Sequence, residues 1–307
     1  MQTVIITGGT GMVGQALTNT LLDKGYQVIV LTRTPKVSSR LNLSYAVWDI
    51  EKSYLEPNAI AAADIIVHLA GESVATKRWT AKRKQEIVDS RVKTSALLVK
   101  AIKENSNHIH TVISASAIGW YGPDNEKSLI EGFKEADPVD PSYLGSTCKL
   151  WEAGMQSIKE MGIRLVTLRI GIVLNKRGGA LAEFIKPANF GLATILGNGK
   201  QIVSWIHQQD LCNLIIYAAE HKNMEGVYNA VAPQPVFNKT LALTVASKIH
   251  KFYIPVYVPS FVLKIMLGEM SIEVLKSAKV SSKKIQDAGF VFEYPTIEVA
   301  LTQILKA

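Results

Sequence analysis

Three glycines at regular spacing follow the first apolar segment of the chain. In "IITGGTGMVG" (residues 5–14), Gly8, Gly11 and Gly14 form a G-x-x-G-x-x-G pattern. Glycines spaced in this way permit a tight turn, let a pyrophosphate approach the backbone, and let the following helix pack closely on the strand. The N-terminus of that helix would add free N–H groups and the positive end of a dipole. We therefore predict a dinucleotide site here, with a structural glycine turn as the alternative.

The residues after the second apolar run bear on which dinucleotide binds. An NAD site usually has Asp or Glu about 20 residues beyond the glycine loop, where it bonds the ribose 2′-hydroxyl. This chain instead has Arg33 and Lys36 in "VLTRTPK", with no acid. A guanidinium binds a phosphate bidentately, whereas a carboxylate would repel it. The cofactor predicted is therefore NADP, unless Arg33 is only a solvated charge at the end of a strand.

Strand-like and helix-like segments alternate through the first half of the chain, which indicates crossover units and a parallel sheet. Apolar, β-branched runs predict strands at 3–7, 27–32, 45–48, 63–70, 110–116 and 164–171. Helical periodicity predicts helices at 12–22, where Gly25 ends the helix, and at 81–104 and 145–160. The fold class predicted is α/β, a Rossmann-type doubly wound parallel sheet with a smaller mixed C-terminal region.

The rhythm of the sequence changes after about Arg177. Helices are predicted to begin near Asp210, a favourable N-cap residue, and to span 237–250 with Asn238 as the cap. We therefore predict an NADP-binding Rossmann domain over 1–175 and a smaller substrate-side region over 176–307, packed on it.

Composition sets limits on the kind of protein this is. Hydrophobic residues make up 48% and charged residues 20% of 307, so the chain can bury a large core. Cys148 and Cys212 provide no disulfide framework, and no metal-type Cys/His spacing occurs. The N-terminus lacks a signal-peptide pattern, and no uninterrupted apolar stretch approaches the roughly 20 residues that span a bilayer. We expect a cytoplasmic protein without a metal ion and without membrane contact.

The positive charge of the chain bears on its partners. The net charge is +8, and the densest basic cluster is "TKRWTAKRK" (76–84). A basic surface suits a phosphate-bearing ligand, an acidic substrate or nucleic acid. No nucleic-acid motif lies near the cluster, so nucleic acid is not favoured. The partner predicted is a small-molecule substrate, and a homodimer is left open.

Several motifs resemble those of the extended short-chain dehydrogenase/reductases, which include sugar-nucleotide epimerases and dehydratases. They are "TGGTGMVG", Asp49, "HLAG" (68–71) and "SASAIGWYG" (114–122). "LAGESV", "WTAKRKQEIVDSRVKTS", "SWIHQQDL", "LGEM" and "AGFVFEYP" are similar to an atypical epimerase-like subgroup with its own C-terminal segment, sometimes labelled cell-division-inhibitor-like. The resemblance runs along essentially the whole chain.

This resemblance implies positions for the cofactor and the catalytic groups. The implied cofactor contacts are Gly8, Thr10, Gly11, Met12 and Gly14 at the pyrophosphate, Arg33 and Thr34 at the 2′-phosphate, Asp49 at the adenine, Leu69, Ala70 and Gly71 beside the nicotinamide-side ribose, Glu86 and Arg91 against NADP, and Val173 over the nicotinamide. Ser116 stands where these enzymes keep a catalytic serine.

The sequence departs from this family at its acid/base pair. The family uses Tyr-x-x-x-Lys, a spacing that puts both side chains on one helix face, and the lysine lowers the tyrosine pKa from about 10. None of the ten tyrosines has Lys or Arg four residues later. Tyr143, where the motif should begin, is followed by Thr147; Lys149 is turned roughly 120° away on the helix. Ser116 and Tyr143 remain the predicted catalytic residues.

Three functions stay open at this point. The chain is an epimerase- or reductase-like enzyme acting on a carbonyl or sugar-nucleotide-type substrate, or it binds NADP(H) without turnover as a redox sensor, or it is structural with vestigial cofactor binding. In the enzyme, the acid/base group is drawn from a set that the sequence does not narrow: Ser116, Tyr121, Tyr143, Glu72 and His207.

Overall fold

A mostly parallel sheet forms the centre of the protein in the computed structural model, which describes residues 1–306. The strands are β1 (Thr3–Thr7), β2 (Gln27–Thr32), β3 (Leu43–Asp49), β4 (Tyr54–Leu55), β5 (Ile65–His68), β6 (Thr111–Ala117), β7 (Arg164–Ile170), β8 (Ile172–Leu174), β9 (Leu192–Leu196), β10 (Ile202–Val203), β11 (Trp205–His207), β12 (Gly226–Ala230), β13 (Val236–Phe237) and β14 (Ile254–Val258). Eight of them form the large sheet, in the order β12-β7-β6-β5-β1-β2-β3-β4. The other pairs are β10 with β13, β11 with β8, and β14 with β9.

The helices connect the strands and cover both faces of the large sheet. They are α1 (Met12–Asp23), α2 (Pro57–Ala62), α3 (Ala81–Glu104), α4 (Glu126–Glu131), α5 (Tyr143–Ala153), α6 (Ser157–Glu160), α7 (Gly179–Ala188), α8 (Gln208–Glu220), α9 (Asn238–Ile249), α10 (Ser260–Leu267), α11 (Ser271–Leu275), α12 (Lys283–Asp287) and α13 (Ile297–Lys306). Short 3-10 turns occupy Ile118–Trp120 and Gly268–Met270.

Side chains alternate between two cores because successive residues of a strand point to opposite faces. Val4 and Ile6 of β1 pack in the core that contains α1 and α8, whereas Ile5 packs with α2, α3 and α6. All five residues of β1 are buried, as expected for a central strand of a parallel sheet. The predicted Rossmann-like α/β fold is therefore confirmed.

The second half of the chain forms a further core around α7, α9 and α13, which includes Trp205 and Val245. It also gives a strand to the large sheet, because β12 pairs in parallel with β7. The division at residues 175 and 176 stays a prediction. None of the helices in residues 1–306 combines the length and the apolar character that a bilayer-spanning segment requires.

Three local predictions need correction. The predicted helix 145–160 is two helices, α5 and α6, that separate around Gly154. Helix α8 begins at Gln208, where the His207 ring accepts the Gln209 N–H (3.1 Å). Asp210 is not its cap; its carboxylate accepts backbone N–H groups from two C-terminal residues, Glu293 (2.8 Å) and Tyr294 (3.0 Å). Asn238 is the first residue of α9 rather than its cap, and its side chain accepts the Leu196 N–H (2.9 Å).

Candidate cofactor and active site

The glycine loop joins β1 to α1 and leaves no room for side chains on its inner side. Gly8 has φ +70°, and a Cβ there would lie 2.8 Å from the Leu69 oxygen. A Cβ on Gly14 would lie 2.3 Å from the Gly8 oxygen, so α1 starts in direct contact with the loop. Gly11 precedes α1, and no side chain caps this end of the helix. Free N–H groups at an uncapped helix start fit the pyrophosphate of a dinucleotide.

A buried hydrogen-bond chain fixes the end of β5 against the end of β1. The Thr7 hydroxyl accepts the N–H groups of Leu69 and Ala70 (both 3.1 Å). It therefore donates to Nδ1 of His68 (2.8 Å), whose Nε2–H is left to donate to the Ser95 hydroxyl (3.2 Å). Burial lowers the pKa of His68 to about 4, so the ring is neutral. This contact holds the segment implied beside the ribose next to the glycine loop.

The predicted adenine end of the site combines a free cation with an ordered carboxylate. Arg33 is exposed directly after β2 and has no hydrogen-bond or salt-bridge partner within residues 1–306. Thr34 is also exposed, and its carbonyl accepts the Thr32 hydroxyl (2.6 Å). Asp49 ends β3 and accepts the N–H groups of Glu51 (3.0 Å) and Lys52 (3.1 Å). Arg33 is therefore available to a 2′-phosphate at the end of its strand.

Met12 at the start of α1 and Val173 of β8 both lie close to Gly179. Thr10 is exposed, and its carbonyl accepts the Gln15 side chain (2.8 Å). The Met12 carbonyl accepts the Gln208 amide (3.0 Å). A Cβ on Gly179 would lie 3.4 Å from the Val173 oxygen and 3.8 Å from the Met12 methyl carbon. The structure thus brings the segment after β8 against the glycine loop.

Arg83, to which the sequence assigned no role, anchors the loop that follows β5. Its side chain is 7% exposed, and it pairs with Glu72 (3.2 Å) and Glu86 (3.1 Å). It also donates to the Ser73 carbonyl (2.7 Å). Glu86, implied as a cofactor contact, therefore has its carboxylate in an ion pair. The i, i+3 spacing of Arg83 and Glu86 was the signal available in the sequence.

Arg91 brings a positive charge from α3 to the end of β5. Its guanidinium carbon lies 4.8 Å from the centre of the Trp151 ring on α5. One of its terminal nitrogens donates to the carbonyls of Glu72 (3.1 Å) and Ile87 (3.0 Å). A Cβ on Gly71 would lie 3.2 Å from the same guanidinium carbon. Gly71 and Arg91, both implied as cofactor contacts, are therefore neighbours in the structure.

Tyr143 lies at the start of α5, away from any lysine of its own helix. Its hydroxyl donates to the Lys84 carbonyl (3.0 Å), and its ring meets Trp79 edge-on at 5.0 Å. Partial burial raises the pKa of Tyr143 above its ordinary value, although the charges of Arg91 and Arg83 act in the opposite direction. A tyrosine in this state is a proton donor rather than a base at neutral pH.

Helix α5, which carries Tyr143, has no lysine at the position where the family has one. At the expected position the Thr147 hydroxyl bonds back to the Tyr143 carbonyl (2.7 Å), and Lys149 is exposed. The geometry agrees with the expectation that Lys149 does not replace the family's lysine.

Ser116 is buried in a charged network that sequence analysis did not anticipate. Its hydroxyl donates to the Glu152 carboxylate (2.6 Å), which also accepts two bonds from Arg169 (2.8 and 3.0 Å). The structure does not bring Ser116 and Tyr143 into hydrogen-bond contact. Because Glu152 and Arg169 come from different elements, no local pattern indicated this pair.

Two other acid/base candidates have structural roles in this arrangement. Tyr121 is fully buried, donates to Asn229 (2.7 Å) and accepts from Arg169 (3.1 Å); burial raises its pKa to about 12. His207 caps α8 through Nδ1, so its Nε2–H donates to Gln303 (3.0 Å). Burial lowers the pKa of His207 and keeps it neutral. Glu72 is the one carboxylic acid among the five candidates. Its side chain is 51% exposed and pairs with Arg83.

Comparison with known proteins covers the whole chain. Residues 4–230 match the family described as "NAD dependent epimerase/dehydratase family", and residues 258–304 match a domain of unknown function, DUF1731. The epimerase family protein YfhF of Bacillus subtilis (strain 168) is 36% identical over 303 residues, which cover 98% of this chain and 97% of that protein. The epimerase family protein SAR0825 of Staphylococcus aureus (strain MRSA252) is 34% identical, covering 99% of both.

Solved structures with the same fold include proteins with bound nucleotides. The human epimerase family protein SDR39U1 (isoform 2), solved with NADPH, is 27% identical with a TM-score of 0.87, and 99% of both chains is covered. A UDP-glucose 4-epimerase from Thermotoga maritima, solved with UDP-glucose, shares the fold at a TM-score of 0.81 and 18% identity, covering 99% of this chain and 98% of that one.

Proposed function

Because this chain belongs to the NAD dependent epimerase/dehydratase family, we propose that it is an NADP(H)-dependent reductase or epimerase acting on a carbonyl or sugar-nucleotide-type substrate. Its acid/base chemistry proceeds without the usual Tyr-x-x-x-Lys pair. The cofactor, when bound, supplies a hydride to an electrophilic carbon or takes one from an alcohol carbon.

The single observation that carries the choice of NADP is Arg33. It directly follows β2 as an exposed guanidinium without a partner in the described part of the chain, and no carboxylate takes its place. A charge-assisted, bidentate contact with the 2′-phosphate is the interaction such a group makes. The NADPH of the human relative supports the same choice.

Backbone and side-chain groups at the ends of the strands would orient the cofactor. The uncapped start of α1, behind Gly11, would hold the pyrophosphate. Leu69 and Ala70, fixed by Thr7, would lie along the ribose. Arg91 stands beside Gly71 and would place its charge next to the same ribose. We assign to Arg91 the ribose-holding part of the missing lysine's work, supplied from α3 instead of α5.

Proton transfer is assigned to Tyr143 as donor. Its raised pKa keeps the hydroxyl protonated at neutral pH, so it can give a proton to a developing alkoxide. The bond to the Lys84 carbonyl must then be exchanged for one to the substrate. Ser116 would act by holding Glu152 and α5 in place, because its own hydroxyl is buried and engaged.

The test of this proposal has two parts. NADPH and NADH are titrated by the change in cofactor fluorescence, and NADPH is expected to bind more tightly. Carbonyl compounds and nucleotide sugars are then screened for NADPH consumption or for epimerised product. Tight NADPH binding together with turnover of one substrate class supports the proposal, and equal affinity for both cofactors contradicts it.

A second function, a non-catalytic NADP(H)-binding redox sensor, is favoured by one observation. The hydroxyls of both predicted catalytic residues are already bonded within the protein, Ser116 to Glu152 and Tyr143 to the Lys84 carbonyl. If NADPH binds tightly and no substrate in the screen reacts, the sensor replaces the enzyme as the better account.

A further inference from the structure

A surface of exposed apolar side chains lies on the C-terminal half of the protein. We call it the C-terminal apolar face; it consists of Phe190, Phe252, Ile254, Tyr257, Phe261 and Ile265. Backbone contacts connect the segments that carry these residues: Ile254 donates to the carbonyl of Gly191, the residue after Phe190, and β14 leads directly into α10. Along β14 the side chains of Ile254 and Tyr257 point to opposite sides, so the stripe on α10 is the part of the face whose residues share one side. Scattered exposed apolar residues are normal, but a contiguous set marks a surface that binds a partner or a membrane.

Helix α10 presents its apolar residues to solvent rather than to the core. Six of its eight residues, "SFVLKIML", are apolar. Among residues 1–306, however, Leu263 is the only buried side chain of this helix. At 100° per residue, Phe261 and Ile265 lie together on the side opposite Leu263. They are 64% and 70% exposed. Lys264 lies next to this stripe on the helix.

The free charges around the face are positive. Lys251 precedes Phe252, Lys264 lies in α10, and Arg78 would contact a Cβ on Gly268 at 3.1 Å, just after α10. None of these three cations has a salt-bridge partner among residues 1–306. The nearby acids are engaged: Glu269 pairs with Lys84 (2.9 Å) and Glu273 with Lys276 (2.6 Å).

From this combination we propose that the C-terminal apolar face attaches the protein to an anionic lipid surface. Phe261 and Ile265 of α10 enter the boundary between headgroups and acyl chains, while Lys264 and Arg78 lie at the level of the lipid phosphates. Apolar and aromatic side chains beside unpaired basic ones are the pattern of proteins that lie on a membrane without crossing it. The proposal replaces the expectation of no membrane contact.

Charge and backbone geometry both disfavour a second copy of the chain as the occupant. Two such faces would bring like charges together on a protein whose net charge is already +8. Strand β14 could pair with its own copy only through its free edge. Ile254 bonds toward β9 through its N–H, so the alternate residues Pro255 and Tyr257 face outward, followed by Pro259. The prolines have no N–H, so this edge is poor for pairing.

The test measures co-sedimentation of the full-length protein with lipid vesicles, in the presence of NADPH. We expect binding to phosphatidylcholine vesicles that contain about 30% phosphatidylglycerol, and at least about ten-fold weaker binding to pure phosphatidylcholine. Raising the salt to about 0.5 M should weaken the binding, because the phosphate contacts are screened. A protein that stays in the supernatant with both kinds of vesicle overturns the proposal.

Single substitutions localise the contact. Phe261→Asp and Ile265→Asp should each lower the partition into phosphatidylglycerol vesicles about ten-fold or more. Lys264→Gln should lower it roughly five-fold. Val291→Asp is the matched control, since Val291 is 85% exposed and lies in a groove with Lys24 and Asn213, away from the face. Equal loss in Val291→Asp would show that any added negative charge suffices, and it would overturn the assignment.

Light scattering after gel filtration tests whether a second copy of the chain covers the face instead. The proposal expects the same mass for the wild-type chain and for Phe261→Asp. A dimer that Phe261→Asp dissociates, in a protein that ignores phosphatidylglycerol vesicles, would make the face a contact between copies of this chain and would overturn the lipid assignment. A fold check by circular dichroism accompanies each variant, and all four substituted residues are exposed, so the fold should be retained.

Discussion

The Ser116 hydroxyl lies 2.6 Å from the Glu152 carboxylate, which Arg169 holds from the other side. Ser116→Ala is therefore expected to reduce the free energy of unfolding by about 1.5–3 kcal/mol, since a hydrogen bond to a charged group is lost. Glu152→Ala should cost about 3–5 kcal/mol, because Arg169 is left buried and uncompensated. Chemical denaturation measures both. If Ser116→Ala keeps full stability but stops turnover, the serine acts on the substrate and the structural assignment is wrong.

Tyr143 is expected to work as a proton donor without the help of a lysine. Any reduction should be slow, and Tyr143→Phe should lower it by about 10²–10⁴-fold. Because the pKa of Tyr143 is raised, the rate should not increase as the pH rises toward the ordinary value of 10.0. Steady-state rates with NADPH against pH check this. Rapid turnover that rises with pH below neutrality and vanishes in Tyr143→Phe alone would mean that some group activates this tyrosine.

Arg33→Ala should remove most of the preference for NADPH over NADH. Losing a charge-assisted contact of about 1.5–3 kcal/mol weakens NADPH binding about ten-fold to a hundred-fold, with little change for NADH. The matched control is Arg40→Ala, because Arg40 already bonds to Asn19 (2.6 Å) and pairs with Asp23 (3.3 Å). Fluorescence titration gives all the dissociation constants. An unchanged preference in Arg33→Ala would contradict the role given to this residue.

Gly11 and Gly14 should respond differently to an added side chain. A Cβ on Gly11 meets only the Gly8 oxygen, at 3.2 Å, and its φ of −77° suits any residue. Gly11→Val should therefore fold and fail to bind NADPH, because the side chain enters the pyrophosphate position. Gly14→Ala should instead lower the melting temperature, since its Cβ would lie 2.3 Å from the Gly8 oxygen. Circular dichroism and cofactor titration separate the two effects. Normal NADPH binding by Gly11→Val would exclude the glycine loop as the pyrophosphate site.

The buried ring of His68 makes stability depend on pH. Its pKa is lowered from 6.5 to about 4, so below 6.5 the unfolded chain takes up a proton that the folded chain does not. The free energy of unfolding should fall by about 3 kcal/mol between pH 7 and pH 4, and this loss should level off below that. His68→Gln has no such titration, so its curve should be flatter over this range. Parallel curves for the two proteins would show that the buried ring is not the cause.

Much of the fold follows from patterns local to the chain. The predicted helix 81–104 coincides with α3, because Thr80 caps it by accepting the Arg83 N–H (3.1 Å) and a long amphipathic pattern continues to Glu104. Gly25 ends α1 with φ +84°, the left-handed conformation that glycine adopts readily. The break near Gly154 was missed because the flanking residues are all compatible with a helix.

The sequence could place a site residue only where its position depends on the neighbouring strand or turn. The glycine loop follows β1 and Arg33 follows β2, as the spacing of strands and turns predicted, and Gly71, which the resemblance implied, follows β5. The binding roles of these residues stay predictions. The contacts of Arg83 and of Arg169 join residues that are far apart in the sequence or depend on how a loop folds back. Asp210 shows the same limit. Its residue type suits a helix cap, but its carboxylate accepts the N–H groups of Glu293 and Tyr294, which are 83 and 84 residues away.

The pairing of β12 with β7 sets an order of events during synthesis of the chain. Residues 1–174 contain the glycine loop and seven of the eight sheet strands, but β7 keeps an open edge until Gly226–Ala230 has been made. An emerging chain that stops before this point exposes the backbone groups of a buried strand, and exposed strand edges promote aggregation. The half of the chain that is predicted to bind the cofactor therefore reaches its finished form late, and a fragment cut at residue 175 should be an aggregating intermediate rather than a small NADP-binding protein.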